Sequence, residues 1–160
     1  MVSSERKKPI LVLGIGSPIV SDDSVGLRVA EQIESFQFDD VEVKEVSTSG
    51  LDLIEMMLDH EVVVIIDGIV TNMKPPGSIF ILSEENFVST IHGTNPHDVN
   101  IATAIELGRM LEPLRMPKRI SFVAIEVIDT RTISEEISPE VERAIPEAIE
   151  VVLRLVGKRR

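Results

Sequence analysis

Three acids and one histidine stand where this chain changes direction. Asp22 and Asp23 follow the apolar run Ile10-Leu11-Val12-Leu13-Gly14-Ile15-Gly16 and a short loop, Asp67 closes Val62-Val63-Val64-Ile65-Ile66, and His97 sits in Asn95-Pro96-His97-Asp98. Two carboxylates and an imidazole make a donor set that leaves positions open on a divalent metal, which suits a catalytic or substrate-presented ion. The same carboxylates are candidate general bases. An imidazole in the first turn of a helix is held neutral by the helix dipole, and neutral imidazole is the metal-binding form. Each residue also has a plainer reading. An Asp just before a helix is ordinarily a cap, and Asp22 is read that way; Asp23 stands between cap and ligand. Asp67, after five buried apolar residues, needs a cleft, a hydrogen bond or a cation to solvate it. His60 and His92 remain alternatives to His97 as third ligand.

The elements that must position these groups are legible in outline. Residues 10–16 form a continuous apolar run ending in glycines, a strand covered on both faces. Val25, Val29, Ile33 and Phe36 repeat at helical spacing after the acidic pair. Residues 41–46 alternate as a second, more exposed strand; residues 47–50 turn; Leu51, Ile54, Met57 and Leu58 mark a second helix. Residues 62–66 are the most β-prone run and read as the central strand. A turn at 74–77 leads to a short strand over 78–82, then a polar loop over 83–95. Asn95 as cap and Pro96 at the first helical position open a third helix to about residue 111. Residues 119–127 form the last strand. A terminal helix opens at Ser138-Pro139-Glu140 and runs into Lys158-Arg159-Arg160, with a kink or break expected at Pro146. This order predicts a three-layer α/β domain over residues 1–160 with a mostly parallel sheet. In such a sheet the carboxyl ends of the strands share one edge. Asp23 and Asp67 meet there if the first and third strands are neighbours.

Composition removes several functions. Lys and Arg number 16 against 27 Asp and Glu, a net charge of −11. The chain lacks the basic excess that displaces counterions from nucleic acid, and an anionic membrane surface would repel it. There is no cysteine, so disulfides, thiolate metal sites and cysteine nucleophiles are absent. No apolar stretch approaches the roughly 20 residues of a membrane span, and the expected location is the cytoplasm. Gly14-Ile15-Gly16-Ser17-Pro18-Ile19 fails the dinucleotide fingerprint, with Ile at the third glycine position. His60-Glu61-Val62-Val63-Val64 starts like a zinc-protease motif but ends in Val and lies in a strand. No Gly-x-Ser-x-Gly elbow is present.

The ordered set of Gly14-Ile15-Gly16-Ser17, Asp22-Asp23-Ser24, the Gly26-containing helix, Ser47-Thr48-Ser49-Gly50-Leu51, Ile65-Ile66-Asp67-Gly68, Pro76-Gly77 and Pro96-His97 resembles the nickel-iron hydrogenase maturation endopeptidases across nearly the whole chain. The resemblance implies an α/β/α sandwich around a five-stranded, mostly parallel sheet with one antiparallel strand, for which residues 78–82 are the candidate. It implies that Asp23, Asp67 and His97 contact nickel carried by the substrate, with zinc or cadmium able to substitute in a crystal. It also implies removal of a C-terminal extension from the large-subunit precursor after nickel insertion. Ser17 stands where the family usually has Asn, and Ser24 where it usually has Gly. A monomer is expected. Two rival readings are a non-cleaving nickel- or precursor-binding chaperone of the same fold, and a nucleotide- or phosphate-binding regulator using the Gly14–Gly16 turn.

Overall fold

The computed structural model describes residues 6–47, 50–90 and 96–159, with the side chains of residues 90 and 96–99 left out of the description. Five strands form one sheet: β1 (Ile10–Ile15), β2 (Val41–Val46), β3 (Val62–Ile69), β4 (Ile79–Ser83) and β5 (Arg119–Glu126), in the order β2-β1-β3-β5-β4. The first three and β5 are parallel, and β4 pairs with β5 antiparallel. Among the described residues five α-helices accompany them: α1 (Val25–Glu34), α2 (Asp52–Met57), α3 (Glu84–Thr90), α4 (Pro96–Leu111) and α5 (Pro139–Leu155). The expected α/β/α sandwich, with its antiparallel fourth strand, is the observed fold.

Strand alternation divides the core. Val12, Val64, Ile66, Val123 and Ile125 face α1 and α5, against Val25, Val29, Ile33, Ala148 and Val152. Leu11, Leu13, Val63, Ile65 and Phe122 face α2, α3 and α4, against Leu53, Met57, Phe87, Ile101 and Ile105. Each fully buried aliphatic chain contributes about 1.5–3 kcal/mol. From β1 the chain crosses to β2 on one side and returns to β3 on the other. Right-handed crossovers in opposite directions send α1 and α2 to opposite faces, so the sheet changes direction between β1 and β3.

Three expectations need correction. The polar stretch after β4 contains α3: Ser83 Oγ accepts the Asn86 N–H at 3.2 Å, and Phe87 stacks on Phe122 with centroids 3.7 Å apart. A serine cap followed by Glu84-Glu85 was a helix-start signal inside that run. The terminal helix is continuous through Pro146, which lies on the exposed face, where the carbonyl it leaves without a donor can meet water. It stops at Leu155 rather than running into the basic tail. The Lys158 and Gly157 N–H groups close back on the carbonyls of Leu153 and Arg154, and the Lys158 ammonium pairs with Asp40 at 2.7 Å.

The seam between α1 and the sheet has no room for a side chain at its centre. A Cβ on Gly26 would lie 2.4 Å from the Ile66 carbonyl oxygen and 2.6 Å from that of Ile15, both backbone atoms. Gly26→Ala should therefore lower stability by about 1–3 kcal/mol or more, read as a reduced midpoint in urea unfolding.

Candidate functional site at the carboxyl edge

The backbone after β1 is shaped around Asp23. A Cβ on Gly16 would come within 2.0 Å of the Asp23 carbonyl oxygen, so only glycine fits there. This close approach, and not a pyrophosphate, accounts for the second glycine of the Gly-x-Gly turn. The Ser17 N–H donates to Oδ2 of Asp23 at 3.0 Å. A backbone group makes that bond, so Ser in place of the family's Asn leaves it intact. Residues Ser21–Ser24 form a 3-10 turn, closed by the Ser24 hydroxyl on the Ser21 carbonyl at 2.8 Å. Ser24 is buried, and its Oγ accepts from Nε of Arg28.

Asp22 does not cap α1, which overturns the plainer reading of that residue. It is fully buried, and its carboxylate accepts the N–H groups of Ile128 and Asp129 at 2.9 Å, the Ser138 N–H at 2.7 Å and the Ser138 hydroxyl at 2.9 Å. Four donors stand in for water around a buried charge. They fasten the loop between β5 and α5 to the turn that carries Asp23. Two isolated bridges from Val20, to Ile133 and Ser134, tie the same segments.

Asp67 was expected just past the strand, but β3 continues through it to Ile69. Pairing with β1 ends at Ile66, opposite Gly14, whereas pairing with β5 continues from Asp67 opposite Ala124 to Ile69 opposite Glu126. Asp67 therefore stands level with Ile15, the last residue of β1, where pairing with β1 has ended and pairing with β5 goes on, at the point of sheet reversal. It is partly buried, and Oδ1 accepts the Gly68 N–H at 2.8 Å. By alternation after Val63 and Ile65 it belongs to the face that carries α4. Helix α4 leads into the parallel strand β5, so its first turn, with His97, begins at the carboxyl edge. The His97 side chain, the Asn95 cap and His92 fall outside the described residues. Among the described residues no three His, Asp or Glu side chains form a metal-holding group.

Sequence reasoning missed Glu126. This buried carboxylate accepts the Thr71 N–H at 2.8 Å and the Thr71 hydroxyl, fixing the loop between β3 and β4. Its only sequence signal was an acid at the end of a strand otherwise buried on both faces. His60 is removed as a third ligand, because it precedes β3 at the opposite edge. It is buried, Nδ1 donates to the Lys8 carbonyl at 2.7 Å, and Nε2 lies 3.4 Å from Oε2 of Glu42, in ion-pair range but without hydrogen-bond geometry. Burial pushes its imidazole below the usual value, against the pull of the Lys8 carbonyl and Glu42.

Two outcomes follow from these geometries. Asp22→Asn halves the acceptor capacity facing four donors and should cost about 2–4 kcal/mol, with faster amide exchange over residues 128–138. For His60, the unfolded chain takes up a proton first as pH falls below about 6.5, so that contribution is intact above this value and lost below it. Urea midpoints from pH 7.5 to 5 should fall further for the wild type than for His60→Gln.

The family model described as hydrogenase maturation protease matches residues 27–155. The hydrogenase 2 maturation protease of Escherichia coli K12 is 29% identical over 147 residues, covering 90% of this chain and 88% of that protein. The structure of the hydrogenase maturating endopeptidase HybD from E. coli superposes with a TM-score of 0.83 at 28% identity, covering 92% of this chain and 91% of that one. The maturation protease HybD from Thermococcus kodakarensis shares the fold, with a TM-score of 0.78 at 24% identity over 91% of this chain and 97% of that one. The reversal of the sheet beside two aspartates thus lies in a chain that, matched over most of its length, belongs to the hydrogenase maturation protease family of endopeptidases.

Proposed function

We propose that this peptidase removes the C-terminal extension of a nickel-iron hydrogenase large-subunit precursor once nickel is in place, and that Asp23, Asp67 and His97 read the nickel carried by that substrate. The observation that carries this reading is the adjacency of β1 and β3, with Asp23 on the turn after one, Asp67 where the other parts from its neighbour, and the start of α4 at the same edge. Two carboxylates and an imidazole suit a borderline divalent ion, and without a thiolate they hold it loosely between substrates. A divalent ion at that place supplies Lewis acidity toward a carbonyl or water.

The chain's own contribution is orientation and proton handling. The Ser17 and Gly68 N–H groups each occupy one oxygen of Asp23 and Asp67 and fix the direction of the carboxylate. Either carboxylate can take the proton of an attacking water as the tetrahedral centre forms, and return one to the departing amine.

Processing is tested with nickel-loaded and nickel-free precursor, the product being a shortened large subunit. Shortening is expected only with the loaded form. Asp23→Asn, Asp67→Asn and His97→Ala should each lower the rate on the order of a hundredfold or more, and each should weaken zinc or cadmium binding in calorimetry. Wild-type rates in all three variants defeat the site assignment. Nickel-dependent binding without cleavage identifies a chaperone, and stabilisation by nucleotide alone identifies a regulator.

A further inference from the structure

We infer that an apolar rim on the loops around this edge is the surface on which the folded precursor docks, gripping an uncharged, apolar segment next to the bond to be cut. The inference rests on the processing reading above and adds the recognition element to it.

Single exposed apolar side chains are ordinary on any protein. Here they gather on three separate loops that all follow the carboxyl ends of strands. Ile19 lies after β1, Val70 and Met73 after β3, and Ile128 and Ile133 after β5. Met73 is 71% exposed and Ile133 79%, and the other three are about half exposed. The backbones that present them are fixed from beneath. The Asp22 carboxylate takes the N–H of Ile128 itself, Val20 bridges to Ile133, and the Ser134 N–H donates to the Ile19 carbonyl. Across the edge, Glu126 holds Thr71 between Val70 and Met73, and the Met73 N–H donates to the Thr71 hydroxyl. The two buried acids are thus joined to the two loops that carry four of the five apolar side chains.

Fixed loops lose little conformational freedom on binding, which favours a preformed docking surface. Its occupant is set by continuity with the site. The turn pinned by Asp22 is the turn that carries Asp23, so whatever covers Ile128 and Ile133 lies beside the candidate catalytic carboxylates. In a precursor peptidase that occupant is the substrate. Charged side chains facing this rim would lose water without gaining partners, so the docked segment is apolar. A second exposed cluster, Met110, Leu111 and Leu114, lies at the opposite edge, where α4 ends, and serves as the internal control.

The test is steady-state cleavage of a nickel-loaded large-subunit precursor by the full chain and by Ile133→Asp, Met73→Asp and Leu114→Asp. Ile133→Asp and Met73→Asp should raise KM about tenfold or more, with kcat at saturation within about twofold and an unchanged Tm. Ile133→Leu should restore the wild-type KM, and Leu114→Asp should match the wild type. Unchanged KM in both rim variants overturns the docking surface while leaving the processing reading in place, as does an equal loss in Leu114→Asp. Sedimentation showing a wild-type dimer that Ile133→Asp converts to monomer, with KM unmoved, assigns the rim to a second copy instead. Failure of the wild-type chain to cut the loaded precursor overturns the processing reading itself, and the rim with it.

Discussion

A carboxylate without access to water has to be surrounded by donors, and Asp22 meets this demand with groups from a loop more than 100 residues further along the chain. Much of the carboxyl edge depends on that arrangement. The turn after β1 and the loop after β5 have separate origins in the chain, and Asp22 makes them one body. The neighbouring Asp23 has a different fate, since the turn leaves it only partly buried, with one oxygen held by a backbone N–H. Two adjacent residues of the same type thus differ in role, one buried and holding two loops together and the other half-buried on the turn of the candidate site. On the other side Asp67 stands two residues before the end of β3, and Glu126 holds the loop that follows it.

The sheet supplies the second constraint. Because the chain leaves β1 toward β2 and comes back to β3, the helices above and below part at that boundary, and the strands on either side end at different heights. Gly26 brings α1 against the carbonyls of Ile15 and Ile66, and Gly16 admits the Asp23 carbonyl. Both glycines are steric requirements of the same few ångströms of structure. The glycine pattern that invites a phosphate reading is thereby explained by packing of protein against protein.

The architecture was legible because alternation and apolar runs are local signals. Residues 62–66 and 119–127 announced buried strands, and the turn at 74–77 announced the edge strand. Asp67 stood out as a candidate because an acid after five buried apolar residues must be solvated somehow, and Asp23 because it belongs to an acidic pair following the first strand and its loop. The role of Asp22 was not, since its partners at 128, 129 and 138 become neighbours only after β5 is laid against β3. Glu126 was hidden for the same reason. Helix α3 was overlooked because Phe87, its one buried side chain among the described residues, gives no periodicity by itself. Pro146 misled because a proline on the wet side of an amphipathic helix costs far less than one facing the core.

An edge that shows isoleucine and methionine to solvent invites identical molecules to stick together. Two copies approaching face to face each carry eleven excess negative charges. Their mutual repulsion acts over roughly the 8–10 Å Debye length of physiological salt, before any hydrophobic contact can form. The surplus of acid thus raises a colloidal barrier between copies of the chain, and added salt lowers that barrier.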